Sequence, residues 1–214
     1  MSSAHTPTDP HSVTVFVVDD DDGLCEGLCD LLESVGLRSA RFGSAEDFIA
    51  HWREEMPGCL MLDARLPGMT GVEFQEKLIR LGVRMPVIFM TGHGDIPMVR
   101  KVMKAGAVEF LTKPFDKEEM LAAIRHAFAL DSAQRIEQRE LSAIQARLAT
   151  LTPREFEVMG HVTAGALNKQ IAGMLTLSEI TVKLHRRRIF EKMRAGSLAE
   201  LVKMTEKVRS SQLK

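Results

Sequence analysis

The segment from Cys59 to Gly71, CLMLDARLPGMTG, limits the possible folds more than any other part of the sequence. Its apolar run ends in one carboxylate, Asp63, and a Pro-Gly turn follows, which is the pattern of a buried strand with an acid at its carboxyl end. Open α/β sheets bind their ligands at the carboxyl ends of the strands, where the connecting loops form a crevice. We therefore expect Asp63 to lie in a reaction site and to accept phosphate.

Apolar strands and amphipathic helices alternate on both sides of this segment. The pattern predicts five strands, at 13–18, 37–42, 59–63, 87–91 and 107–111. It also predicts five helices: one that ends at residue 36, three at 44–53, 72–81 and 96–104, and one that begins at residue 116. Five strand–helix units in about 120 residues predict an α/β domain with a doubly wound, five-stranded parallel (βα)5 sheet.

The stretch from Phe115 to Thr152 contains neither Gly nor Pro. The last helix of the α/β domain is therefore predicted to continue as a long linker helix over 131–150. Apolar residues recur near its end with a 3-4-3 spacing, at Leu141, Ile144, Leu148 and Leu151. The same spacing is typical of a coiled-coil pairing seam, so the sequence leaves both interpretations open.

Beyond residue 151 the pattern predicts an all-α domain of four helices, at 153–164, 168–175, 179–193 and 197–209. A turn of three residues, Thr176 to Ser178, joins the second and third helices, as in helix-turn-helix units. Residues 1–12 are polar, contain two prolines and are predicted to be a disordered tail. The predicted organisation is thus this tail, an α/β domain at 13–130, the linker helix at 131–150 and the all-α domain at 151–214.

The net charge of −1 hides an asymmetry along the chain. Residues 1–150 carry 16 Lys and Arg against 23 Asp and Glu, whereas residues 151–214 carry 12 against 6. This favours a cation or phosphate site in the first part and a nucleic-acid contact in the second. No apolar run is long enough to span a membrane, and the first residues lack the pattern of a signal peptide, so we expect a cytoplasmic protein. The three cysteines have no metal-ligand cluster around them and are expected to be core residues.

Polar side chains follow four of the predicted strands: Asp19 and Asp20, Asp63, Thr91, and Lys113. Because the carboxyl ends of parallel strands lie on one edge of the sheet, these side chains should meet there. Three carboxylates can hold Mg²⁺, and the Lys113 ammonium adds a second positive charge. Asp63 can then attack phosphorus as a nucleophile, and the Thr91 hydroxyl can donate a hydrogen bond to the new phosphoryl oxygens.

Four motifs in residues 13–130 resemble the CheY-like receiver domains of two-component response regulators. They are VVDD at 17–20, LDARLPGMTG at 62–71, MTGHGD at 90–95 and FLTKPF at 110–115. By this resemblance Asp63 is the phosphoacceptor, and a sensor histidine kinase is the expected phosphodonor. The run of four acids departs slightly from the family pattern, and we expect Asp21 and Asp22 to face the positive N-terminal end of the next helix rather than a metal ion.

The resemblance also implies roles for the neighbours of Asp63. Mg²⁺ is expected to be held by Asp19, Asp20, Asp63 and the backbone carbonyl of Arg65, and Lys113 is expected to precede a cis Pro114. Thr91 and Phe110 fall at the switch positions, where Thr91 moves toward the phosphoryl group and Phe110 turns inward. A conventional core position for Phe110 remains an alternative, and His93 is a candidate for influencing the rate at which the acyl phosphate is hydrolysed.

The third helix of the all-α domain has two different faces. Ser178 is a suitable N-cap, and Val182, Ile189 and Met193 form an apolar stripe. The opposite side is predicted to carry Glu179, Lys183, Arg186 and Arg187. A helix that packs on one face and presents guanidinium groups on the other is suited to the major groove of DNA.

Residues 151–210 resemble LuxR-type DNA-binding domains through LTPRE at 151–155, NKQIA at 168–172, SEITVKLH at 178–185 and SLAELV at 197–202. Both resemblances together point to the NarL/FixJ group. They imply base contacts by Lys183, Leu184 and Arg187, and phosphate contacts by Lys169, Thr181, Arg186 and Arg188. Leu167 departs from the smaller or polar residue often found before Asn168, and the last helix is either a dimer contact or simple core packing.

The sequence thus predicts a transcription factor that is activated by phosphorylation. Its active form is expected to be a homodimer on a pseudo-palindromic DNA site, with RNA polymerase as a further candidate partner. Two alternatives remain at this stage. One is a phosphatase with an aspartate nucleophile, although Arg65 stands where a second acid is needed. The other is a LuxR-type regulator that responds to a small molecule.

Overall fold

The computed structural model describes residues 13–53, 56–92, 100, 103–104 and 106–211. The tail predicted at 1–12, His93 and most of the helix predicted at 96–104 lie outside the described residues. The chain divides into two compact units, Met1–Gln134 and Arg135–Lys214, and each is described by itself. In these ranges the structure contains no helix with the length and apolar character that crossing a membrane requires.

The first unit contains a five-stranded parallel sheet, whose strands cover, in order across the sheet, residues 38–42, 14–18, 58–63, 87–91 and 109–112. Its strands are β1 (Thr14–Val18), β2 (Arg38–Phe42), β3 (Gly58–Asp63), β6 (Val87–Thr91) and β7 (Glu109–Thr112). Two further strands, β4 (Arg65–Leu66) and β5 (Met69–Thr70), form a short antiparallel pair in the loop after β3. The prediction of a doubly wound sheet is confirmed, while this small pair was not predicted, because two-residue strands leave no periodic pattern.

Side chains of the central strands alternate between two apolar cores, one on each face of the sheet. Phe16, Leu60 and Phe89 belong to the core that α2 (Ala45–His51) and α3 (Gly71–Arg80) cover. Val17, Met61 and Ile88 belong to the other core, which α1 (Asp22–Ser34) and the first half of α4 (Lys117–Leu148) cover. Burial on both faces explains why these strands are continuous apolar runs in the sequence.

The start of α1 agrees with the sequence prediction, whereas its last residue, Ser34, lies two positions before the predicted end at Gly36. The Asp21 carboxylate accepts a hydrogen bond of 3.0 Å from the backbone N–H of Leu24 as the N-cap, and Asp22 is the first helical residue. Gly36 adopts a positive φ of 76° just after the helix, a conformation that glycine adopts without strain. Cys25 and Cys59 are buried core residues, as predicted, and burial raises the pKa of the Cys25 thiol to about 12.

One buried carboxylate joins α4 to the sheet. Asp131 is almost completely buried, and its Oδ2 accepts a hydrogen bond of 3.1 Å from the backbone N–H of Gly58, the first residue of β3. The two residues are separated by 73 positions in the chain. A charge-assisted bond inside the protein stabilises more than a neutral one, so it fixes α4 against the start of β3.

The second unit is helical, with α5 (Pro153–Thr163), α6 (Asn168–Leu175), α7 (Glu179–Met193) and α8 (Leu198–Ser211). The end of α4 packs against the same apolar core, because Ile144 is buried there and Leu148 contacts it. This packing inside one unit accounts for Ile144, Leu148 and Leu151 of the 3-4-3 spacing. Leu201 on α8 is also fully buried, so part of that helix contributes to the core.

Candidate functional site

The candidate reaction site lies at the carboxyl edge of the sheet. β1, β3, β6 and β7 are neighbours there, and their register aligns Val18 with Leu62 and Thr91 with Thr112. Asp19 follows β1, Asp63 ends β3 and Lys113 follows β7. The fold therefore brings together residues that are up to 94 positions apart in the sequence.

The Lys113 ammonium links the two carboxylates. Its Nζ lies 2.5 Å from Asp19 Oδ2 and 2.7 Å from Asp63 Oδ1. Burial lowers the pKa of Lys113, but the hydrogen bonds and charges of Asp19 and Asp63 outweigh burial and raise it above its usual value. The ammonium therefore stays charged at neutral pH. The Lys113 backbone N–H donates to the Thr91 carbonyl over 2.7 Å, and the peptide bond between Lys113 and Pro114 is cis, as predicted.

The second oxygen of each carboxylate is also held in place. Asp63 Oδ2 accepts a hydrogen bond of 2.6 Å from the backbone N–H of Arg65. Asp19 Oδ1 accepts a hydrogen bond of 3.0 Å from the backbone N–H of Asp21. Asp19 is almost fully buried, whereas the Asp63 side chain keeps 10% of its surface exposed. Asp63 is thus oriented by two donors and remains within reach of a reagent from solvent.

The remaining predicted residues occupy different environments. Asp20 is exposed beside Asp19, and Thr91 is buried at the end of β6. Phe110 on β7 is half-buried and packs against the core on the α2 and α3 side. Among the residues that the structure describes, no three acidic, His or Cys side chains form a ready metal cluster. The donors nevertheless suit Mg²⁺ chemically, because carboxylates and a backbone carbonyl are the oxygen ligands that it takes.

Gly71 is a site residue that the sequence analysis did not identify. A Cβ atom there would lie 2.5 Å from the Asp63 carbonyl oxygen and 2.8 Å from the Phe89 ring. Its N–H donates to the Ala64 carbonyl over 3.0 Å. The loop after Asp63 can therefore pass this close to the sheet only with glycine at this position.

The second candidate surface is the outward face of α7. Val182, Ile189 and Met193 are fully buried, as predicted. The exposed side chains on the other side include Ile180, Lys183, Leu184, Arg187, Arg188 and Glu191. Thr181 is half-exposed and its hydroxyl contacts the N-cap hydroxyl of Ser178, while Lys169 is exposed near the start of α6.

Arg186 lies elsewhere than the sequence analysis expected. It is half-buried and lines a cavity together with Val162 and Leu198. The reason is its position on the helix, four residues after Val182 and three before Ile189, which places it beside the buried stripe. Arg187, by contrast, is well exposed and pairs with Glu191 over 2.8 Å.

An ion pair attaches the end of α7 to α5. Lys192 Nζ donates to Glu155 Oε2 over 2.6 Å and to the Thr150 carbonyl over 2.9 Å. Glu155 also accepts a hydrogen bond of 2.9 Å from the backbone N–H of Thr152. Burial raises the pKa of Glu155, but the Lys192 and Thr152 hydrogen bonds outweigh it, so the pKa lies below its ordinary value.

Comparisons with known proteins assign a family to each of the two parts of the chain. Residues 15–125 match the family model of the response regulator receiver domain, and residues 149–205 match that of bacterial regulatory proteins of the luxR family. Nodulation protein W of Bradyrhizobium diazoefficiens is 45% identical over 202 residues, which cover 94% of this chain and 88% of that protein. The chain belongs to the response regulators with a LuxR-type DNA-binding domain.

Other relatives extend this result. The transcriptional regulatory protein FixJ of Rhizobium meliloti is 40% identical to the regulator over 191 residues, which cover 89% of this chain and 94% of FixJ. A solved structure of the response regulator StyR is 45% identical in sequence and superposes with a TM-score of 0.82. The match covers 92% of this chain and 99% of the StyR chain. The interpretation as a FixJ-like response regulator is confirmed. The receiver-domain match over residues 15–125 favours this interpretation over a phosphatase and over a ligand-gated regulator.

Proposed function

We propose that Asp63 of the regulator accepts a phosphoryl group from a phosphohistidine of a sensor histidine kinase. An Asp63 carboxylate oxygen attacks phosphorus, an O–P bond forms, the P–N bond breaks, and the electron pair returns to the histidine nitrogen. The observation that carries this proposal is the Lys113 ammonium held within 2.7 Å of both Asp19 and Asp63. Such a cation offsets the negative charge that an incoming phosphoryl group brings to two carboxylates.

Asp19, Asp20, Asp63 and the Arg65 carbonyl are the residues that would hold Mg²⁺. When bound, the metal ion supplies positive charge next to the phosphoryl oxygens. Lys113 supplies the second positive charge, and the chain itself catalyses both phosphoryl transfer to Asp63 and slow hydrolysis from it. The two hydrogen bonds that orient Asp63 support this role, because a fixed nucleophile loses less entropy on reaction.

Thr91 and Phe110 are proposed to report the phosphorylation state. Thr91 ends the strand next to Asp63, and β7, which contains Phe110, pairs with that strand. The Lys113 N–H bond to the Thr91 carbonyl connects the same two strands close to the site. Phe110 is half-buried against an apolar core, so an inward rotation would bury more of its ring and remodel the adjacent surface.

The all-α part is proposed to bind a pseudo-palindromic promoter site as a homodimer after phosphorylation. Residues 13–130 then act as the receiver, 131–150 as the linker and 151–214 as the DNA-binding domain, with RNA polymerase as a candidate partner in the cytoplasm. Base contacts are assigned to Lys183, Leu184 and Arg187, and phosphate contacts to Lys169, Thr181, Arg186 and Arg188. The exposed basic residues of α7 support this assignment, whereas half-buried Arg186 would reach a phosphate only at the edge of that surface.

Labelling by a small-molecule phosphodonor with Mg²⁺ tests the phosphoacceptor. Asp63→Asn should abolish the mass increase of one phosphoryl group and the gain in DNA affinity that the donor produces in the native protein. Asp22→Asn is a matched control, because Asp22 lies in the first turn of α1 and should leave both effects intact. Undiminished labelling of Asp63→Asn would refute the assignment.

Arg187→Ala tests the DNA-reading face. The variant should select a less restricted set of sequences from a random DNA pool, because a bidentate guanidinium contact to guanine is worth about 1–3 kcal/mol of discrimination. Arg209→Ala, which removes the same charge from α8, is the control. An unchanged selected sequence for Arg187→Ala would contradict base contact by this residue.

A further inference from the structure

Ile180 on α7 is 80% exposed, which is more than any other large apolar side chain among the described residues. It is the second residue of the helix and follows the N-cap Ser178. Neither hydrogen bond of the cap involves it, because the Ser178 hydroxyl contacts the N–H and the hydroxyl of Thr181. Local folding therefore does not require an isoleucine here.

Isoleucine is also an unfavourable choice for this position on conformational grounds. A β-branched side chain loses rotamer freedom in a helix and stabilises it less than alanine does. Exposed single apolar residues are common and need no explanation. Ile180 is different because Leu184, one helical turn away, is also exposed, by 47%.

The two side chains share the face opposite the buried stripe of α7. Residues four apart on a helix are neighbours, so Ile180 and Leu184 form one apolar pair. Lys183 and Arg187, also exposed, lie beside this pair. The outward face thus has an apolar centre with cationic groups at its border, and one of these, Arg187, pairs with the exposed Glu191 over 2.8 Å.

This arrangement fits the major groove of DNA. The C5-methyl group of thymine is the apolar group that base edges present there, and side-chain methyl groups contact it. We propose that Ile180, together with Leu184, contacts thymine methyl groups, and that Ile180 is a specificity-determining residue of the regulator. This inference rests on the proposed function, in which the outward face of α7 reads the bases.

A protein partner would be the other occupant of an exposed apolar pair. Charge favours a different occupant, because the three cations around this pair, Lys183, Arg187 and Arg188, match the closely spaced phosphates of a nucleic acid. Residues 151–214 carry 12 Lys and Arg against 6 Asp and Glu, which suits a polyanion. DNA is therefore the occupant that the surface favours.

Thymine-to-deoxyuridine replacement tests the proposal directly, because it removes only the C5-methyl group. The full chain, treated with a phosphodonor and Mg²⁺, first selects duplexes from a random DNA pool. Each thymine of the selected duplex is then replaced singly, and the dissociation constants are measured at one fixed salt concentration. Loss of one buried methyl group should weaken binding roughly fourfold at one or two thymines of each half-site.

The same scan on variants assigns each sensitive thymine to a residue. Ile180→Ala should weaken binding to the thymine duplex and abolish the deoxyuridine penalty at one position, and Leu184→Ala should do so at a neighbouring position. Ile79→Ala is the matched control, since Ile79 is a helical isoleucine that is 57% exposed in the other unit. It should keep every deoxyuridine penalty of the native protein. Because Ile180 is exposed, Ile180→Ala should fold normally, which circular dichroism checks.

The outcomes separate this inference from the proposed function. The inference would be overturned if deoxyuridine replacement weakened binding equally in the native protein and in Ile180→Ala. It would also be overturned if Ile180→Ala changed the oligomeric state but left the effect of every deoxyuridine replacement unchanged. If in addition Arg187→Ala relaxes the selected sequence, α7 reads DNA without this apolar pair and the proposed function stands. If no α7 variant changes the selected sequence, the proposed function fails as well.

Discussion

Lys192→Met should destabilise the second unit of the regulator because it leaves Glu155 buried without its cation. The Glu155 side chain is only 3% exposed, whereas that of Lys192 is 33% exposed. The substitution removes the 2.6 Å ion pair and the hydrogen bond to the Thr150 carbonyl, and it leaves the Thr152 N–H as a donor to Glu155. Methionine keeps most of the side-chain volume, so the effect reports charge rather than a cavity.

The size of the effect follows from the burial of the two groups. Breaking a fully buried ion pair by removing one partner costs about 3–5 kcal/mol. Water screens part of this pair through the exposed third of Lys192, so we expect a loss of about 2–4 kcal/mol in the free energy of unfolding at pH 7. The double variant Lys192→Met with Glu155→Gln removes both charges and should be more stable than Lys192→Met alone.

The contribution of Glu155 to the free energy of unfolding should depend on pH in opposite directions in the native protein and in Lys192→Met. In the native protein the Glu155 pKa lies below 4.5, so its stabilisation is complete above that value and is lost as the pH falls through the folded pKa. Without Lys192, burial raises the Glu155 pKa. The ionised form then destabilises the fold at neutral pH, and this penalty disappears as the pH falls through the raised pKa. The stability gap between the two proteins should therefore narrow from pH 7 to pH 4.

Urea unfolding of the full chain measures this gap at each pH. Far-UV circular dichroism follows the helices of both units, while the fluorescence of Trp52, the only tryptophan, follows the first unit separately. The Trp52 transition should not move in Lys192→Met, which is the internal control. A variant as stable as the native protein at pH 7, or a gap that stays constant down to pH 4, would refute the reasoning.

Three further substitutions test other contacts. Leu167→Ser gives α6 the side-chain N-cap that it lacks and should add about 1 kcal/mol; an unchanged melting temperature would contradict this. Gly71→Ala pushes a Cβ against the Asp63 carbonyl and should cost about 1–3 kcal/mol and slow phosphodonor labelling, whereas Gly27→Ala, with no atom within 4 Å, should do neither. Asp131→Ala leaves a buried strand N–H without its acceptor and should cost about 1–3 kcal/mol in urea unfolding, so native stability of this variant would argue against the bond.

Most of the first unit could be predicted because the five strands of its main sheet and the helices α1 to α4 have strong local patterns. The apolar runs around Phe16, Met61 and Ile88 are buried on both faces of the sheet, and such runs are easy to locate. Once a parallel sheet is inferred, its topology alone brings Asp63 and Lys113 to one edge. The pattern predicts the ends of strands less precisely, and β7 begins at Glu109, two residues later than predicted.

The contacts that the sequence did not predict depend on single long-range neighbours. Asp131 resembles any helical surface acid, and only the fold shows that it is buried against the start of β3. Gly71 looked like an ordinary turn residue, because its close contact is with a backbone atom. Arg186 was grouped with its basic neighbours, although its distance in residues from Val182 and Ile189 already indicated a position near the core.

The Asp131 bond has a mechanical consequence for signalling. β3 is anchored at its start by this bond and at its end by Lys113, with about 17 Å of strand between the two points. A strand that is tethered at both ends cannot slide lengthwise when its last residue gains charge. In the proposed function, the charge that Asp63 gains on phosphorylation therefore acts sideways, on the neighbouring strands β6 and β7.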